Sequence, residues 1–183
     1  GDPIDRVVLT ETPRAGRPPP GDGDATSQWD FSGGNLASSF GPGRLEFAGD
    51  AATATSFRTT TTLGLPAIAG EEAAVMEFPA AADNSRGFKV ETNAEPNRGA
   101  YINDYTLVLD ILIPAESFAT ADWLGLYNTN ADNANDADLF VRLADGAVGI
   151  AGVFDGRLEP DTWHRLAIAH GIEGERAVLR KFI

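Results

Sequence analysis

Apolar and polar residues alternate most regularly between Asp104 and Ile113. Tyr105, Leu107, Leu109, Ile111 and Ile113 fall on one face of an extended chain, and Asp104, Thr106, Val108, Asp110 and Leu112 fall on the other, as the two-residue period of a strand requires. One face is wholly apolar and the other mixed, the pattern of a strand packed on one side and partly wet on the other. Pro114 ends it. Shorter runs predict strands at 4–10, 28–31, 44–47, 74–78, 88–90, 123–127, 139–143, 148–154, 163–169 and 177–183. Asp145-Gly146 predicts a hairpin turn, and Asp155-Gly156 a second turn. Residues 49–72 are predicted mostly as loop, because Gly64, Pro66 and Gly70 interrupt the β-prone but polar stretch Thr59 to Thr62. Strands recur roughly every ten residues, the spacing of a sandwich, and no segment sustains a helical period. The predicted class is all-β, an antiparallel jelly-roll β-sandwich.

The 183 residues suit one domain, and the twenty glycines and eleven prolines fit a chain of many turns. Residues 1–25 read as a linker or the tail of a preceding segment: Pro18-Pro19-Pro20 favours extended polyproline geometry and the flanking glycines loosen it. The sandwich is predicted over 26–183. The chain starts at Gly1 and has Met76 as its one methionine, so it is expected to be a piece of something longer. Its last residues, Ala177 to Ile183, have strand composition with no closing turn, and the expectation is that C-terminal strands are missing.

A net charge of −13 argues against nucleic acid, whose phosphates need clustered Lys and Arg, and against an anionic membrane surface. The longest apolar stretch, Tyr105 to Ala115, is broken by Asp110 and too short to span a bilayer, so no membrane insertion is predicted. With no cysteine there is no disulfide and no thiolate metal site.

Candidate chemistry is sparse. Between Asn128 and Asp138, seven of eleven residues are Asn or Asp, and calcium takes six to eight such oxygen ligands. Asn130, Asp132, Asn133, Asn135, Asp136 and Asp138 are the candidate calcium ligands. The spacing is not that of an EF-hand, and the competing reading is a solvated loop whose side chains cap their own turns. His164 and His170 lie six residues apart on one strand, about 20 Å at ~3.3 Å per residue, too far to share a metal. No Ser-His-Asp set is evident. Asp104 and Asp110 share a strand face but lie too far apart to act as the paired carboxylates of a glycosidase. No catalytic residue is assigned. For a ligand, Trp123 beside the Asx-rich loop is the best aromatic platform, with Tyr127 expected on the same strand face.

Five stretches resemble, in this order, the laminin-G-like, concanavalin A-like modules of bacterial exported proteins. They are Ala74-Val75-Met76-Glu77-Phe78-Pro79, Gly99 to Leu107 (GAYINDYTL), Asn135 to Arg142 (NDADLFVR), Gly149 to Gly156 (GIAGVFDG) and Pro160 to Ala167 (PDTWHRLA). The Trp163-His164-Arg165-Leu166-Ala167 strand is the most telling. The resemblance covers about residues 27–183, although the 48–70 stretch carries no landmark of the family. It implies a non-catalytic accessory module that binds a glycan or a protein surface, sited in a secreted, cell-surface or periplasmic protein. It also implies calcium on a loop, and a neighbouring hydrolase domain of the phosphoesterase type. A structural spacer, or a subunit whose open edge is closed by a strand-donating chain, is the first alternative. A glycan-cleaving hydrolase is the second.

Overall fold

The computed structural model describes residues 27–79, 81, 86–97, 100–130 and 136–183, together with the backbone of 6–10. The rest of the predicted linker and three of the predicted calcium ligands, Asp132, Asn133 and Asn135, lie outside the described residues.

The chain is all-β with a few single-turn helices. In order come β1 (Arg6–Thr10), β2 (Arg44–Gly49), α1 (Ala51–Ala54), β3 (Ser56–Thr59), α2 (Thr60–Leu63), β4 (Ala74–Pro79) and β5 (Arg86–Glu91). There follow β6 (Tyr105–Leu112), α3 (Ala115–Thr120), β7 (Trp123–Tyr127), β8 (Leu139–Arg142), β9 (Ala147–Ile150), β10 (Val153–Asp155), β11 (His164–Glu173) and β12 (Arg176–Phe182). They form a six-stranded sheet in the order β12-β11-β6-β1-β4-β3, a four-stranded sheet β10-β9-β8-β7 and the pair β2-β5. Each of these pairings is antiparallel. The short strand predicted near the N-terminus is β1, and it lies inside the six-stranded sheet, with Leu9 opposite Met76 on one side and Ile111 on the other.

The predicted alternation of β6 sets the core. Ile111 and Ile113 join Leu166 and Ile168 of β11 in one buried cluster, with Leu107 packed against it. The four-stranded sheet contributes Leu124, Leu139, Val141 and Val148 to the same cluster, so one apolar face of each sheet leaves water there. The two sheets are also joined at an edge. The Lys181 ammonium on β12 donates to the Val148 carbonyl and pairs with Asp155.

On the other face of β6, Asp110 is 4% exposed. It lies directly opposite Arg165 of β11 and accepts from Nε at 2.7 Å and from a terminal nitrogen at 2.6 Å. That bidentate geometry is the arrangement in which a guanidinium best compensates a buried carboxylate. Nearby, Ile68 and Val75 form a second cluster with Leu63, Leu65 and Trp163, and the Trp163 indole donates to the Pro66 carbonyl at 2.9 Å.

Three predicted elements change. The strand predicted over 28–31 is only an isolated bridge from Gln28 to Phe40. The 49–72 stretch carries α1, β3 and α2 rather than mostly loop. Polar β3 is tolerated because it is an edge strand, and Thr59 caps α2 by accepting from the Thr62 amide at 3.2 Å. The single strand predicted over 148–154 is a hairpin, β9 and β10, turning at Ala151 and Gly152 with φ of 50° and 82°. A left-handed turn pair of this kind is what joins two antiparallel strands tightly.

Candidate functional site

The register of the six-stranded sheet places three side chains in one row. His170 of β11 lies opposite Tyr105 of β6 on one side and Leu179 of β12 on the other. Directly paired residues have side chains close enough to touch, and here the imidazole stacks on the Tyr105 ring at 5.1 Å with 14° between planes. This row, with Tyr101, Asn103, Tyr127, Thr129 and Asp138, lines a cavity of about 560 Å³. The size suits a ligand of a few sugar rings or a comparable small molecule.

Each wall is fixed by its own hydrogen bonds. Asn97 organises the approach to β6: its Oδ1 accepts from the amides of Asn103 at 2.8 Å and Asp104 at 3.0 Å. Asp104 in turn accepts from the Ile172 amide at 3.1 Å, which ties that approach to β11. His170 Nδ1 lies 2.6 Å from the Asn103 carbonyl oxygen. A carbonyl can only accept, so Nδ1 carries the proton, and Nε2 is an acceptor in the neutral ring. Opposite, Asp138 Oδ2 accepts from the Thr129 amide at 2.7 Å and its hydroxyl at 2.5 Å, and the Asp138 amide donates to the Tyr127 carbonyl at 2.9 Å.

Tyr105 and Tyr127 both line the cavity, and their phenols influence each other's ionisation. Burial pushes both above the usual tyrosine range, and the nearby Asp138 charge adds to the rise. Their interaction lowers Tyr105 and raises Tyr127 further, so Tyr127 is the harder of the two to ionise.

The predicted site residues divide. Tyr127 lines the cavity; Trp123 does not. The expectation that the two share a strand face is corrected by a bulge. Trp123 pairs with Arg142 and Gly125 with Phe140, but Tyr127 pairs with Leu139, a register shift between Gly125 and Tyr127. A residue inserted on one strand reverses the faces beyond it, so Tyr127 turns to the core cluster while Trp123 stays 40% exposed. Trp123 instead meets Phe140 at 6.0 Å and Phe154 at 5.4 Å, with the Arg142 guanidinium 5.0 Å over the Phe154 ring. Phe140 and Phe154 both lie opposite Gly149, where an added Cβ would fall 2.8 Å from the Phe154 Cα. The glycine lets this aromatic shelf close, with Phe140 and Phe154 half-buried beside the exposed Trp123.

In the Asx-rich loop the described side chains bond the loop itself. Asn128 donates to the Asp136 carbonyl at 3.0 Å and accepts from the Asn130 amide at 2.8 Å, and Asp136 accepts from the Ala137 amide at 2.9 Å. Asp138 fixes Thr129, as above. No group of three or more metal-ligating side chains comes together among the described residues.

Tyr101, Tyr105 and His170 were not singled out as site residues in the sequence. The His170–Tyr105 contact requires the β6–β11 pairing, across 65 residues of chain, and no local pattern announces it. His164, the other histidine, accepts from the Glu159 amide at 2.8 Å and holds the turn before its own strand. Among the described residues lining the cavity, Asp138 is the one carboxylate. Asp110 is held by Arg165 and Asp104 by the Ile172 amide. No family model matches this chain, and neither does any curated protein or solved structure.

Proposed function

We propose that this chain is a non-catalytic, glycan-binding accessory module with the jelly-roll sandwich architecture of the concanavalin A-like, laminin-G-like modules it resembles, and that the tyrosine-lined cavity is its binding site. The observation that carries the reading is the cavity itself. It has the combination sugars require: aromatic surface for the apolar faces of the rings, and fixed polar atoms for the hydroxyls. The shared apolar cluster of the two sheets supports the sandwich, and the acidic composition fits a module of an exported protein beside a catalytic domain.

The test is calorimetric titration with a panel of neutral oligosaccharides. Saturable binding is expected, weakened about tenfold or more by Tyr101→Ala. Tyr101 is 75% exposed at the rim, so its removal spares the core. A panel without a binder, or Tyr101→Ala binding like the parent, overturns the proposal.

A second reading has its own observation, the shelf of exposed Trp123 with half-buried Phe140 and Phe154. Sugar rings stacked there, rather than in the cavity, would make Trp123→Ala the damaging variant and leave Tyr101→Ala without effect.

A further inference from the structure

We infer that the cavity selects glycans carrying a positive charge, amino sugars above all; the inference rests on the proposed glycan site. The groups that line it differ in sign from those of an anion site. Asp138 is the described carboxylate there, and no Lys or Arg lines the cavity among the described residues. Both bonds from Thr129 fall on Asp138 Oδ2, so Oδ1 keeps its lone pairs while the carboxylate is held in place. Tyr101, Tyr105 and Tyr127 line the same cavity, and aromatic rings attract cations. His170 donates its Nδ1 proton to the Asn103 carbonyl, which fixes the imidazole against the Tyr105 ring.

The flanking cations of β12 do not reverse this balance. Arg176 and Arg180 alternate onto the face of the strand away from Leu179, and Arg180 is paired with Glu173; Lys181 shares the face of Leu179, but its ammonium is engaged by Asp155 and the Val148 carbonyl. At longer range the net charge of −13 draws cations and repels anions. A uronate would bring a second carboxylate beside Asp138 with no described basic partner in the cavity. A protonated amino sugar would instead bring an ammonium to the Asp138 carboxylate in a cavity that the tyrosines also line.

The experiment compares three tetrasaccharides by calorimetry at mildly acidic pH, where the amine is protonated: β-1,4-glucosamine, its fully N-acetylated form and galacturonate. The glucosamine tetramer is expected to bind about fivefold more tightly than the acetylated one, the scale of one half-exposed ion pair, and galacturonate least. The preference should shrink in ~1 M salt, where the screening length falls to about 3 Å, and approach unity in Asp138→Asn, whose amide oxygen still accepts from Thr129. The salt arm uses the parent protein and does not depend on how the variant folds. Equal or tighter binding of the acetylated tetramer, or a preference that survives both salt and Asp138→Asn, overturns the charge selection while Tyr101-dependent binding leaves the glycan site standing. If no tetramer binds, the glycan site itself falls, and the inference with it.

Discussion

Asp110 and Arg165 face each other across β6 and β11 and close a two-point ion pair, with Asp110 almost wholly buried and the Arg165 side chain 47% exposed. Removing the guanidinium alone leaves a carboxylate in the sheet without its counter-charge. Arg165→Met is therefore expected to cost about 2–4 kcal/mol, discounted from a fully buried pair because Arg165 reaches solvent. The double variant Asp110→Leu/Arg165→Met should cost less than Arg165→Met alone. Urea denaturation of the parent, both single variants and the double variant measures this, and additive losses would show that the pair is not coupled.

The Tyr105–Tyr127 pair predicts alkaline sensitivity. Both phenols are raised in the folded protein, by burial first. An acid raised on folding holds its proton more firmly in the native state, so the unfolded chain releases protons first as pH climbs. The stabilisation is complete below the unfolded tyrosine value of about 10 and is lost as pH rises above it. Tyr127→Phe should flatten that decline, read as melting temperature against pH, and ultraviolet titration should show Tyr127 ionising after Tyr105. A decline as steep in Tyr127→Phe as in the parent would contradict the assignment.

In the turn between β8 and β9, the Arg142 guanidinium holds the Asp145 carboxyl down to about 2, helped by the Ala147 amide. A depressed carboxyl stabilises the fold above its unfolded value of about 4, and that contribution disappears as pH falls from about 4 toward 2. Carbon-detected NMR titration of Asp145 should give a midpoint near 2, and in Arg142→Gln the midpoint should move back up. No movement in that variant would remove Arg142 as the cause.

For the Asx-rich loop, the hydrogen bonds of Asn128, Asp136 and Asp138 already fix the described turns. Asp138→Ala, which unties Thr129, is therefore expected to lower the melting temperature by a few degrees. The predicted calcium ion is tested separately by a chelator: a fall in melting temperature reversed by added calcium would support it, and no change would remove it.

Tyr105 shows how far pattern reasoning reaches. Its place on the apolar face of β6 followed from the two-residue period alone, since every second side chain of an extended strand points the same way. The same period misplaced Tyr127, because the bulge after Gly125 forms only when β8 is laid beside β7. The polar strand β3 and the helix after it were hidden for a related reason. An edge strand capped by Thr59 needs little hydrophobicity of its own.

Local chemistry therefore determined the class: alternating side chains and turn residues such as Asp145-Gly146 dictate antiparallel strands in almost any context. The pairing of distant strands decided the site. His170 meets Tyr105, and Arg165 meets Asp110, because β11 lies beside β6 in one particular register. A register is fixed by the whole buried face at once, through Ile111, Leu166 and Ile168 together, and no short stretch of chain contains it.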